Sequence, residues 1–138
     1  TNQGGYAIGI GAACGYTNQG NYAIAIGYAS GYYTQKLRSI AIGFQAGQSN
    51  QGTNSIAIGS YSGNINQSNE SIAIGNSAGY TSQQIYGVAI GYSAGSSTQG
   101  TYSVAIGNAG KGLNTKLLLL VLLEVVAIQP FASVTFKS

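Results

Sequence analysis

One five-residue motif, seen as Ser39-Ile40-Ala41-Ile42-Gly43, recurs along this chain with a fixed spacing. The glycine that closes the motif returns every 16 residues, without insertion, through seven copies. These motif glycines, which number coils 1 to 7 below, are Gly11, Gly27, Gly43, Gly59, Gly75, Gly91 and Gly107. A strict period of this kind predicts stacked coils, because each repeat buries its apolar face against its neighbours.

The motif itself predicts a β-strand. Isoleucine or valine occupies the positions one and three before every motif glycine, and alanine lies between them in all copies but the first. Alternate side chains of a strand share a face, so the two β-branched columns lie on one side and the alanines on the other.

Two turn signals punctuate each repeat. A second glycine follows the motif glycine after four residues, as Gly47 follows Gly43, and a glutamine often followed by glycine marks the other turn. Two bends per repeat predict an all-β, parallel β-roll, a β-solenoid with two strands per 16-residue coil. Seven coils would form a rod roughly 30–35 Å long.

The glutamines repeat with the same period, so we expect them to stack into a ladder. Identical residues on successive coils lie above one another, and each amide would then hydrogen-bond to the next. This structural interpretation is preferred to ligand contact. The glutamine ladder comprises Gln19, Gln35, Gln51, Gln67, Gln83 and Gln99.

The narrow interior of a two-sheet roll favours alanine inside and isoleucine outside. A continuous outward stripe of isoleucine and valine is too apolar to face water, which predicts an oligomer interface. The opposite arrangement, with isoleucine inside, stays open and would allow a monomer. The predicted interface residues are Ile24, Ile26, Ile40, Ile42, Ile56, Ile58, Ile72, Ile74, Val88, Ile90, Val104 and Ile106.

Tyrosines form a further pattern near the turns. Stacked rings would stiffen the rod, whereas exposed tyrosine among asparagine, serine and glycine is also typical of binding surfaces. Both interpretations remain open from the sequence. The candidate surface-binding residues are Tyr6, Tyr16, Tyr22, Tyr28, Tyr32, Tyr80, Tyr86, Tyr92 and Tyr102.

The composition argues against catalysis and cofactors. The 138 residues include five Lys or Arg, two Glu and neither His nor Asp, so acid–base chemistry, metal binding and cofactor binding are not expected. Only Lys36 and Arg38 lie close together within the repeats, which disfavours nucleic acid as a partner. Cys14 occupies a column of small residues and is interpreted as a small buried side chain.

The period fails after the seventh copy, which predicts two regions, 1–110 and 111–138. The first is the repeat array, and its opening residues match the end of a repeat, as in a fragment of a longer protein. The second contains a Leu-rich stretch, 116–126, followed by a degenerate motif. That stretch is too short to span a bilayer, so no membrane insertion is expected. We interpret it as an inserted buried segment, with a short helix as the alternative.

The motif in Ser39–Gly43, Ser55–Gly59 and Ser103–Gly107 resembles the head repeats of trimeric autotransporter adhesins. Similar repeats occur in viral tail and surface fibres. The resemblance covers about residues 6–110 and implies a left-handed parallel β-roll, association of three rolls into a homotrimer, and a place outside the cell or on a virion. It also implies that the large apolar residues of the motif help to hold the trimer together.

Two functions follow as hypotheses. The first is a structural, self-assembling fibre at the extracellular, cell or virion surface, in which exposed sheet ends also allow end-to-end polymerisation. The second is an adhesin or receptor-binding head that attaches to a host surface or a glycan. An ice-binding solenoid is disfavoured because its regular threonine array is missing here.

Overall fold

The computed structural model describes residues 2–108, which form a parallel β-solenoid of about seven turns. This part of the chain has no helix, and therefore none long and apolar enough to cross a membrane. The region 111–138, with its Leu-rich stretch at 116–126, lies outside the described residues. The strands are β1 (Asn2–Gln3), β2 (Ile8–Ile10), β3 (Asn18–Gln19), β4 (Ile24–Ile26), β5 (Thr34–Gln35), β6 (Ile40–Ile42), β7 (Ile56–Ile58), β8 (Ile72–Ile74), β9 (Val88–Ile90) and β10 (Val104–Ile106).

The motif strands form a seven-stranded sheet in the order β10-β9-β8-β7-β6-β4-β2. Each strand is parallel to its neighbour and pairs with the equivalent residue of the next coil, as Ile40 pairs with Ile56 and Ala41 with Ala57. The 16-residue period is therefore the register of the sheet. The predicted all-β solenoid is confirmed.

The second sheet is regular only in the first coils. It contains β1, β3 and β5, and its pairing continues further along the chain as isolated bridges, such as Gln35 with Gln51. The change coincides with left-handed backbone at Asn50, Asn66 and Ser82, where φ is 58°, 56° and 52°. A left-handed residue interrupts an extended strand, so two full strands per coil are confined to coils 1 to 3.

Alanine fills the interior of the roll. Ala41, Ala46 and Ala57 pack together and are fully buried, whereas Ile58 and Ile90 keep 36% and 37% of their surface exposed. The space between the two sheets is shared by these methyl groups and the buried glutamines, so the larger isoleucines turn outward. The expectation of alanine inside is confirmed, and the alternative of isoleucine inside is wrong.

In coils 1 to 6 both glycines are required by conformation and by space. The motif glycine Gly43 has φ of 130°, and a Cβ built on it would lie 2.6 Å from the carbonyl oxygen of Gly59. Gly47 has φ of 52°, and its Cβ would lie 2.7 Å from Oε1 of Gln51. The first glycine thus sets the close approach of successive coils, and the second makes room for the glutamine.

Candidate interaction surfaces

The isoleucine face is the outer side of the seven-stranded sheet, and it contains every predicted interface residue. Its central members, such as Ile40 and Ile42, are half-buried because neighbouring coils cover them from above and below. At the ends of the described array the exposed fraction rises, to 58% for Ile10 and 52% for Val104. A single roll thus leaves an apolar stripe about 30 Å long in contact with water.

The glutamine column lies inside the roll. Gln35 and Gln51 are 1% and 0% exposed, so these amides cannot contact a ligand on the surface. Nε2 of Gln35 donates to the carbonyl oxygen of Ile24 at 2.6 Å and to that of Ser39 at 3.2 Å. Ile24 belongs to coil 2 and Ser39 to coil 3, so one side chain ties two successive coils together.

Amide-to-amide hydrogen bonds are a minor part of this column. Nε2 of Gln67 donates to Oε1 of Gln83 at 3.3 Å. Elsewhere the amides donate to backbone carbonyls, and Oε1 of Gln35, Gln51, Gln67 and Gln99 accepts no hydrogen bond. The glutamines are stacked as the ladder requires, but most of their Nε2 groups donate to backbone carbonyl oxygens inside the roll.

The tyrosines form two stacked pairs and two longer aromatic clusters instead of one continuous ladder. Rings stack between Tyr6 and Tyr22, with centroids 5.2 Å apart, and between Tyr86 and Tyr102, with centroids 4.8 Å apart. Both pairs belong to one column, whose middle positions hold other residues. In one cluster Tyr16 stacks on Tyr32, which also contacts Tyr33 edge to face. The other cluster runs through Tyr28, Phe44, Tyr61 and Tyr80. Tyr92 is 61% exposed.

The column that contains the Tyr6–Tyr22 and Tyr86–Tyr102 pairs has left-handed backbone in every coil. Its φ values lie between 54° and 60°, a conformation that asparagine tolerates but tyrosine and arginine rarely adopt. The turn therefore displays its side chains at a cost in backbone strain, which is common at functional sites. The column comprises Tyr6, Tyr22, Arg38, Asn54, Glu70, Tyr86 and Tyr102.

A polar groove, which the sequence did not predict, opens beside this turn on the outer side of the second sheet. Its volume is about 370 Å³. Nδ2 of Asn50 donates to Oδ1 of Asn66 at 3.0 Å, and the backbone N–H of Thr53 donates to Oδ1 of Asn69 at 2.9 Å. We call this the asparagine groove; its lining residues are Lys36, Asn50, Gly52, Asn66, Gln67, Ser68, Asn69 and Ile85.

Cys14 lies at the first coil and is half-buried, whereas Ala46 and Ala78 in the same column are fully buried. Its Sγ donates to the carbonyl oxygen of Gly11 at 3.1 Å, and it lines a cavity of about 380 Å³ with Gln3 and other residues.

Between residues 2 and 108, no cluster of three or more His, Cys, Asp or Glu could hold a metal ion.

Comparison with known families gives one match. Residues 51–62 and 83–109 match the YadA head domain repeat, in two copies. No curated protein and no solved structure shows a significant match to the chain.

Proposed function

We propose that this chain, which carries head repeats of the trimeric autotransporter adhesin type, is an adhesin head in which three rolls associate through their isoleucine faces. An adhesin-type surface protein agrees with the repeat match and with the parallel solenoid. The proposal adds a three-fold association and attachment to a host surface.

The exposure of the isoleucine face is the main observation that supports this proposal. Full burial of an isoleucine side chain contributes about 1.5–3 kcal/mol, and the half-exposed members of the stripe have gained only part of that. Two columns over seven strands offer enough unburied apolar surface to drive association. A shared axis parallel to the rod would bring the three stripes together along their whole length, since every coil presents the same residues.

Association through this face leaves the opposite side of each roll free. That side carries the second sheet and the asparagine groove, and the turn with Tyr22 and Tyr86 lies at the edge between the two sheets. Tyrosine, asparagine and serine at exposed turns suit recognition, because they combine apolar area with adaptable hydrogen bonds. Between residues 2 and 108 the charged side chains are only Lys36, Arg38 and Glu70, which fits attachment better than catalysis.

Paired substitutions of equal exposure test the interface. Ile58 and Leu37 are 36% and 37% exposed, but only Ile58 belongs to the isoleucine face. In sedimentation velocity, Ile58→Glu is expected to shift the protein from trimer towards monomer, because the charge would be buried at the shared axis. Leu37→Glu should leave the assembly intact. Equal effects of the two variants, or none for Ile58→Glu, would contradict the proposal.

A self-assembling fibre is the second candidate function. The strands β2 and β10 are the edges of the described seven-stranded sheet. An edge strand that stays unpaired offers its backbone groups to a further coil. Electron microscopy separates the two candidates. Filaments many times longer than the roughly 30 Å array favour end-to-end stacking, and short discrete rods favour an isolated head.

A further inference from the structure

We propose that the asparagine groove binds a linear, uncharged oligosaccharide that lies parallel to the axis of the roll. This inference rests on the proposed adhesin function and names the chemical class of its ligand. The groove extends over four coils, from Lys36 in coil 3 to Ile85 in coil 6, which corresponds to about 14 Å along the rod. A few sugar residues fit that length.

The first argument is the direction of the amide groups. Oδ1 of Asn66 accepts from Asn50, and Oδ1 of Asn69 accepts from the backbone of Thr53. With both oxygens held against the protein, the Nδ2 donors of Asn66 and Asn69 remain for a ligand. Both side chains are exposed, so they need no further protein contact. Sugar hydroxyls accept such hydrogen bonds and can donate to Oδ1 of Asn50 in return.

The second argument is the left-handed backbone under the groove. The second sheet loses its regular pairing where Asn50 and Asn66 adopt left-handed φ, and these same two residues line the groove. Asparagine is the side chain that tolerates this conformation at low cost. The groove is thus formed by a local change of the coil, while the motif strands on the opposite face continue undisturbed.

The third argument is charge. Lys36 is the one charged residue among those that line the groove. The neighbouring turn carries Arg38 and Glu70, whose charges oppose each other, so the face carries a net charge of only +1 (two cations, one anion). A polyanion would find little attraction there, whereas hydroxyl groups match the mixture of amides, backbone and a lysine donor. Ile85 adds an apolar surface for the face of a sugar ring.

The test uses isothermal titration of the full chain with cellohexaose, chitohexaose and maltohexaose. We expect binding of at least one of these neutral probes, with an affinity that does not change between low and high salt. Hyaluronan hexasaccharide and polyglutamate report on charge. The proposal would be overturned if only these two anions bind and their binding is lost at high salt. It would also be overturned if none of the probes binds.

Matched variants assign the binding to the groove. Asn69→Ala and Asn21→Ala each remove an equivalent hydrogen bond, from Thr53 N–H and Gly5 N–H, but only Asn69 lines the groove. Asn66→Gly and Gln45→Gly form a second pair, both at left-handed positions, and Gln45 lies in the turn that follows the motif glycine and does not line the groove. The groove variants should weaken binding by about tenfold, as expected for the loss of a hydrogen bond at a ligand. Equal losses in the controls would overturn the assignment.

Failure of this inference is distinguishable from failure of the proposed function. Sedimentation of the same samples reports the oligomeric state independently of sugar. If a trimer attaches to cells and Asn69→Ala does not change that attachment, sugar binding in the groove is contradicted. The proposed function as an adhesin head would still hold.

Discussion

The side-chain amide of Gln51 donates to the backbone carbonyl oxygen of Ile40 at 2.6 Å, across the interior of the roll. Gln51 belongs to coil 4 and Ile40 to coil 3, and the same bond recurs one coil later between Gln67 and Ile56. The glutamine therefore joins the second-sheet side of one coil to the motif strand of the previous coil. Stability of the array should depend on this link.

Replacement of the buried glutamine tests the link. Gln51→Ala removes the bond to Ile40 and leaves a cavity, so we expect the free energy of unfolding to fall by roughly 2 kcal/mol. Gln84→Ala, at an exposed glutamine, is the control and should change stability little. Chemical denaturation measures both. Similar stabilities for the two variants would show that the internal amide is dispensable.

The motif glycine gives a stronger prediction. Gly43→Ala forces a side chain into φ of 130° and against the carbonyl of Gly59, so we expect a loss of about 3 kcal/mol or more. Gly100→Ala is the matched control, because a Cβ there meets nothing within 4 Å. Thermal unfolding followed by circular dichroism should separate them clearly. A Gly43→Ala protein as stable as the control would be incompatible with the close stacking of coils.

Tyr86 follows the groove residue Ile85 and stacks on Tyr102, so it should extend the surface that we propose binds sugar. Tyr86→Asn keeps a residue that tolerates the left-handed turn, and should lower oligosaccharide affinity several-fold with little loss of stability. Tyr22→Asn changes the equivalent position of the other stacked pair and serves as control. If the two variants bind the probe equally well, Tyr86 has no part in recognition.

The fold was largely predictable from the sequence, because the information is local and repeated. Glycine at fixed intervals gives the turns, and alternation of Ile40, Ala41 and Ile42 gives a strand with two unlike faces. Which face lies inside follows from the thinness of a two-sheet roll, and full burial of Ala41 agrees with it.

The partners of the glutamines were less predictable. Periodicity shows that Gln35 and Gln51 stack, but the choice between a neighbouring amide and a backbone carbonyl depends on which carbonyls the turns direct inward. The carbonyl oxygen of Ser39 is such a case, since it accepts from both Gln35 and the backbone of Ile24.

The asparagine groove was not predicted, because it arises where the repeat departs from its own pattern. The only signal in the sequence is asparagine at positions 50 and 66, where coils 2 and 3 have Asn18 and Thr34 within regular strands. Asparagine occurs in both settings, so the residue type alone does not reveal the left-handed backbone.

The mass of the native assembly tests the central claim most directly. Light scattering of the full chain, measured over a dilution series into the micromolar range, should give three times the chain mass of 14.0 kDa. That result would agree with three rolls closed around their isoleucine faces. A stable particle of 14.0 kDa at micromolar concentration would contradict the account.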